Sequence, residues 1–370
     1  MAVAVGPAAV GEAQVEGLDV AAYTVPTEEP ESDGTLEWDA TTIVVVEAHG
    51  GGESGLGYTY GDVAVARFVE SRLAEAVAGA NALSPPTAWR AMQATIRNAG
   101  RPGVGAMAVS AVDVALWDLK ARLLGLCLAD ALPRFHESVP VYGSGGFTSS
   151  SQERLREEAR AWMRLGLRRV KIKVGREPAR DPKRLATCRR EIGPDVELMV
   201  DANGAFEPKQ ALEQARRYAE LGVSYLEEPV SSADRAGLRF VREHGPPGMA
   251  IAAGEYEWDL PGVAEVAACV DVVQADVTRV GGITNLLRVD GVCRATQRRF
   301  SAHCAPAISA HACCAIESLA HLEHFHDHVR VERLLFDGTL DPRGGALTPD
   351  RSRPGLGLDL KRSDAERYAA

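Results

Sequence analysis

The sequence predicts an α/β chain in which an α+β segment precedes a barrel of parallel strands. Three observations carry this. From Val139 onward short apolar runs alternate with amphipathic helical stretches at a regular spacing, and about eight strand–helix units imply a parallel sheet closed on itself. Residues 1–135 lack that alternation and begin instead with β-branched runs. The length, 370 residues, suits two domains or one large barrel with additions, at roughly 100–200 residues per domain.

In the first part QVEGLDVAAYTV, TTIVVVEA and GLGYTY read as strands, and the run that ends at Gly50-Gly51-Gly52 and resumes at Leu56 predicts an antiparallel hairpin. Helical patterns follow over about 63–77 and, strongly apolar, over about 105–124. In the second part strands are expected near 139–142, 170–174, 197–200, 225–227, 249–252, 272–275, 300–303 and 321–325. Helices are expected between them, near 152–165, 182–192, 209–221, 233–244, 262–269 and 283–297. In the first of these, Ala159, Trp162 and Met163 form an apolar stripe and Gly166 stands just past the end. The tail from Asp337, rich in Gly and Pro, is expected to leave the barrel and pack back on the first part. The expected division is therefore 1–135, 136–335 and 336–370.

Composition is that of an ordinary globular chain, with 46% hydrophobic and 25% charged residues. A net charge of −10 argues against a nucleic-acid surface, which needs clustered Lys and Arg. The N-terminal MAVAVGPAAVGEAQ lacks the basic start and long apolar core of a signal peptide, and no apolar run of about 18 residues predicts a membrane span. Seven cysteines are scattered without a paired framework. These features predict a reduced, cytoplasmic enzyme, and they say little about small-molecule substrates.

In such barrels the active site lies at the C-terminal ends of the strands. Those positions read Lys171 and Lys173, Asp201, Glu227, Glu255, Asp276, His303 and Glu323, all ionisable. One acid after a strand means little, since Asp is a common turn residue. Three on consecutive strands about 5 Å apart repel one another unless a cation sits among them. All-oxygen ligation by Asp201, Glu227 and Glu255 favours Mg²⁺ or Mn²⁺ over zinc; separate helix caps explain them less well, because Glu is a poor N-cap. Asp276 and His303 close neighbouring strands, and a carboxylate on one imidazole nitrogen raises the basicity of the other, giving a general base.

The stretch VKIKVG places Lys171 and Lys173 on one face of a strand and Val170, Ile172 and Val174 on the other. Alone it reads as a half-exposed strand, but both faces of a barrel strand are covered. Burial and neighbouring positive charge are expected to lower the lysine pKa, making Lys173 a base and Lys171 its electrostatic companion.

The chain resembles the enolase superfamily, and within it the mandelate racemase subgroup of the mandelate racemase/muconate lactonizing enzyme family. The resemblance spans nearly the whole chain. It is carried by Lys171-Ile172-Lys173, Val200-Asp201-Ala202-Asn203, Leu226-Glu227-Glu228-Pro229, Gly254-Glu255, Gln274-Ala275-Asp276-Val277 with Gly281-Gly282-Ile283-Thr284, and Ser301-Ala302-His303. One departure is Ala275, where many members carry proline. The resemblance implies a modified TIM barrel, (β/α)7β, under an α+β capping domain, with Mg²⁺ on Asp201, Glu227 and Glu255. It implies abstraction of the proton α to a substrate carboxylate, with Lys173 serving one face and His303, held by Asp276, the other. Glu323 looks like the acid that hydrogen-bonds the enediolate oxygen, and Asn203 like a contact to substrate or to a ligand. Two cap loops, near 23–38 and 50–60, would supply specificity through Tyr23, Glu37, Trp38, Tyr58 and Tyr60. A homo-oligomer, dimer or octamer, is also implied.

The expected function is dehydration of an acid sugar, an aldonate or aldarate, to a 2-keto-3-deoxy acid. The alternative is a racemase, epimerase or cycloisomerase using the same two bases. A Schiff-base aldolase would want a barrel lysine but no metal carboxylates, and a non-catalytic binding protein would not need the full base and metal set. Gly50–Gly55 satisfies G-x-G-x-x-G, but the chain resumes as a strand where a dinucleotide fingerprint opens a helix. His321, His324, His326 and His328, with Cys304, Cys313 and Cys314 upstream, lack the paired spacing of a zinc site.

Overall fold

The computed structural model describes residues 13–370; the N-terminal stretch read above for a signal lies, up to residue 12, outside them. Three antiparallel strands come first, β1 (Gly17–Ser32), β2 (Glu37–Gly50) and β3 (Glu53–Tyr60). Alternation along β2 splits its side chains between two cores. Val44, Val46 and Ala48 pack under the cap helices, while Ile43 and Val45 join the core that runs into the barrel. The hairpin turn at Gly51 and Gly52, both at positive φ, leads back into strand as expected.

The apolar helix Val104–Leu123 lies directly on β3. A side chain at Gly55 or Gly57 would meet the backbone of that helix within 2.2 Å, so both glycines permit the contact. A helix at Pro85–Thr95 had no counterpart in the sequence reading; a Pro pair opens it and Ala88 and Met92 anchor it.

Eight parallel strands form the barrel: β4 (Val139–Gly145), β5 (Arg169–Lys173), β6 (Glu197–Asp201), β7 (Val223–Glu227), β8 (Ala250–Ala253), β9 (Val272–Ala275), β10 (Arg299–Ala302) and β11 (Leu319–Phe325). Pairing of β11 with β4, Leu322 against Val141, closes it. Seven helices intervene between these strands, so the fold is (β/α)7β under an antiparallel cap. Tyr142, Met199, Tyr225, Ala252 and Val272 fill the interior below the mouth.

Side-chain hydrogen bonds fix the cap over the strand ends. Asp113 accepts from Thr284 N at 2.8 Å and Thr284 Oγ1 at 2.6 Å, and Ser110 accepts from Gly281 N. After Asp337 a short strand β12 (Ala346–Leu347) adds to β4, and the chain then returns to the cap, where Leu128 N donates to Gly355 O and Arg122 to Leu358 O.

Candidate active site

The strand ends open into a cavity of about 440 Å³ between barrel and cap. On β5, Val170 and Ile172 point out into the helix layer, and Lys171 and Lys173 point in and are buried. The half-exposed alternative for VKIKVG is thereby removed.

Register aligns the next residues. Lys173 pairs with Asp201 across β5 and β6, and Asp201 with Glu227 across β6 and β7. Glu255 follows β8 after Gly254, whose φ is 129° and where a Cβ would stand 2.3 Å from Gln274 O. Only glycine lets the chain pass β9 so closely there. One carboxylate oxygen from each of Asp201, Glu227 and Glu255 lies within 4.8 Å of the others. Burial and the adjacent Asp201 push Glu227 well above the usual carboxylate range. Glu255 Oε2 is buried and makes no aligned hydrogen bond among the described residues, although His303 Nε2 lies 3.1 Å away. A buried all-oxygen cluster of three carboxylates this close together fits a hard divalent cation.

The two lysines supply the charge that is present. Lys171 Nζ lies 2.7 Å from both oxygens of Glu227 and 2.9 Å from Glu323 Oε1, and Lys173 Nζ lies 2.6 Å from Asp201 Oδ2. The expected lowering of their pKa is corrected here. Burial does work against both charges, but Glu227 and Glu323 at Lys171, and Asp201 at Lys173, outweigh it and hold both amines above their ordinary value.

Almost opposite, His303 Nδ1 stands 2.7 Å from Asp276 Oδ2. Asp276 Oδ1 accepts from Thr278 N at 2.6 Å and Thr278 Oγ1 at 2.7 Å, so the carboxylate is fixed and fixes the ring. Burial opposes both charges, yet the pair prevails: Asp276 is held below its usual range, and Cys304, Glu255 and Asp276 raise His303 well above its own. Glu323 bridges the two walls, with Oε1 on Lys171 and Oε2 3.3 Å from Cys304 Sγ and 3.6 Å from His303 Nε2. His303, Cys304 and Glu323 also bring ligand atoms within 4.8 Å of one another; the histidines after 320 form no such group among the described residues. Asn203, Glu228, Cys304 and Ala305, each just past a strand, have positive φ. Backbone strain thus gathers at the mouth.

Of the residues expected to contact substrate, Asn203, Trp38 and Tyr60 line the cavity. Tyr23 and Tyr58 do not. Tyr58 shares a face with Tyr60 but lies two residues farther from the mouth, fully buried, with its hydroxyl on Glu332. Tyr23 sits on edge strand β1 under the C-terminus, bridged to Ala369. Glu37 points away to Arg176. The sequence reading missed Asp33, Thr41, Thr42, Asp62, Arg279 and His328, which also line the cavity. Arg279 had a signal, three residues after Asp276; of the cap residues only Asp33 lies in one of the two expected loops, and Thr41, Thr42 and Asp62 fall outside both.

Comparison with known proteins gives a consistent answer. The family model for the mandelate racemase / muconate lactonizing enzyme N-terminal domain matches residues 20–132, and the enolase C-terminal domain-like model matches residues 154–365. A 3,6-anhydro-α-L-galactonate cycloisomerase of Streptomyces coelicolor is 30% identical over 94% of this chain and 98% of its own. A mandelate racemase/muconate lactonizing enzyme-like protein from Rubrobacter xylanophilus superposes with TM-score 0.96 at 70% identity, over 96% of this chain and 100% of its own. The L-talarate/galactarate dehydratase of Salmonella typhimurium, solved with Mg and L-lyxarohydroxamate, superposes with TM-score 0.88 at 26% identity, over 98% and 94%. Other relatives are named as dehydratases, cycloisomerases and an epimerase.

Proposed function

The chain belongs to the mandelate racemase/muconate lactonizing enzyme family of the enolase superfamily, and from that premise we propose that it dehydrates an acid sugar, an aldonate or aldarate, to a 2-keto-3-deoxy acid. The observation that carries this is the pair of proton-transfer groups on opposite walls of one cavity, Lys173 on β5 and the Asp276-held His303 after β10, with three carboxylates between them. Mg²⁺, which structural relatives bind, fits Asp201, Glu227 and Glu255, and when bound it supplies positive charge both to the forming enediolate and against the Lys173 ammonium that Asp201 otherwise holds charged.

Lys173 Nζ takes the proton from the carbon α to the carboxylate, and the C–H electron pair moves into the carboxyl group to give the enediolate. Lys171, locked between Glu227 and Glu323, keeps positive charge beside it. His303 Nε2 gives its proton to the β-hydroxyl as the C–O bond breaks; water leaves, and the enol product tautomerises to the 2-keto acid. Asp276 keeps Nδ1 protonated, so Nε2 is the nitrogen that exchanges the proton. With the opposite configuration at the α-carbon the two groups exchange roles.

A second reading has its own support. The cycloisomerase relative covers nearly the whole chain, and the same two groups can return a proton to carbon rather than expel hydroxide. The experiment is a screen of aldonates, aldarates and uronates with Mg²⁺ and chemical detection of 2-keto acids. A keto acid from one of them supports dehydration. Deuterium at the α-carbon from D₂O with no elimination from any compound overturns it in favour of isomerisation.

A further inference from the structure

We infer that the site takes an acid sugar with a single carboxylate, an aldonate whose far end is an alcohol, and discriminates against the aldarate of the same configuration. This deepens the proposed function and rests on it for the place of the reacting carboxylate, beside Asp201, Glu227 and Glu255. The rest of the substrate must then lie toward the cap, where the cavity is walled by Asp33, Thr41, Thr42 and Asp62 with Asp327 from the barrel side.

That wall presents acids and hydroxyls. Asp33 Oδ1 accepts from Thr35 N and Leu36 N at 2.7 Å, and Asp62 Oδ1 accepts from Ala64 N at 2.8 Å. In each case the second carboxyl oxygen has no hydrogen bond among the described residues, which suits it to accept from a sugar hydroxyl. Asn203 Oδ1, on the same cavity, is a buried acceptor without a partner among the described residues.

The cations that line the cavity are already engaged. Lys173 is held by Asp201 and His303 by Asp276, and Arg279, whose buried Nε makes no hydrogen bond among the described residues, lies 3.4 Å from Glu255, 3.8 Å from Asp276 and over the Tyr256 ring. Asp327 pairs with Arg330 at 2.7 Å, but Arg330 is not part of the wall. His328 is stacked on Tyr60 with ring centroids 3.4 Å apart, and burial pulls its pKa down to about 4, so it is neutral near pH 7. Residues 1–12 contain no Lys, Arg or His. A carboxylate at the far end of an aldarate would face Asp33 and Asp62 without a counter-charge, and like charges placed together disfavour that ligand.

The test uses the full chain with Mg²⁺ and matched pairs: gluconate against glucarate, galactonate against galactarate, mannonate against mannarate. Binding is read by calorimetry and α-proton exchange by NMR in D₂O, both separately from keto-acid formation. For at least one configuration the aldonate should bind and exchange at least tenfold better than its aldarate. An aldarate that binds as well or better, or a failure of every aldonate to bind, overturns the inference. An aldonate that binds and exchanges without yielding keto acid supports the inference while overturning dehydration. Asp33→Asn with Asp62→Asn keeps on each residue the oxygen that accepts from the backbone, turns the second oxygen into an amide donor that a sugar hydroxyl can still meet, and removes both charges; it should lower the aldonate-to-aldarate affinity ratio at least tenfold. If the double variant does not fold, exposed Asp62→Asn alone should lower it measurably; an unchanged ratio counts against the inference.

Discussion

Tyr58 Oη donates to Glu332 Oε1 at 2.5 Å, tying a cap strand to the helix that leaves the last barrel strand. Glu332 also accepts from Ala307 N at 3.2 Å. Burial pushes this carboxyl up to about 8, against the lowering effect of the Tyr58 hydrogen bond. Between its ordinary value of 4.5 and about 8 the folded chain keeps a proton that the unfolded chain has released. The stabilisation is full below about pH 4.5 and is lost as pH rises through 8, with a slope of about 1.4 kcal/mol per pH unit for one proton. Urea unfolding from pH 5 to 8.5 should show a shallower decline in Glu332→Gln than in the parent; equal slopes would contradict this assignment.

Asp276 acts through His303 and is a positioning residue. Asp276→Asn removes the charge that fixes the His303 tautomer, and kcat should fall by about 10²–10⁴. The loss should fall on kcat rather than KM and should be accompanied by a shift of the pH–rate profile. A change confined to KM would show that the dyad does not serve proton transfer.

Chelation should abolish turnover, and added Mg²⁺ should restore it. Glu255→Gln, which removes one ligand charge, should weaken Mg²⁺ binding by at least about 10–100-fold, the range seen when a metal site loses only a residue that supports a ligand. Calorimetric titration checks this, and unchanged affinity would place the cation elsewhere.

Gly254 places Glu255. Ala there brings a Cβ against Gln274 O in a backbone region that favours glycine, and should cost about 1–3 kcal/mol of stability. Chemical denaturation checks the cost, and a Gly254→Ala protein as stable as the parent would contradict the close packing of β8 on β9.

The barrel and its chemistry were legible because the topology brings strand ends together wherever they fall in sequence. Asp201, Glu227, Glu255, Asp276 and His303 each follow a short apolar run, and parallel register then leaves them no other meeting place. The cap was less legible. Alternation shows that Tyr58 and Tyr60 share a face, but not that the mouth begins at Tyr60 and Tyr58 is spent on Glu332. Asp33 reaches the cavity because its loop is anchored on the barrel, Thr148 N to Ser32 O at 2.7 Å and Thr35 Oγ1 to Asn203 O at 3.3 Å, contacts more than a hundred residues apart in sequence. The sign of the lysine shifts was also out of reach. It depends on how closely carboxylates face the two ammonium groups in the folded barrel, and Glu227 stands 2.7 Å from Lys171 and Asp201 2.6 Å from Lys173.

The most direct test of the two-sided site is α-proton exchange in D₂O with Mg²⁺-loaded parent, Lys173→Ala and His303→Asn, using an acid sugar that the parent turns over and its α-epimer. We expect each variant to lose exchange with one epimer and to retain it with the other, the two losses being complementary. Full exchange of both epimers by both variants, or loss of the same epimer in each, would contradict the placement of two proton-transfer groups on opposite walls.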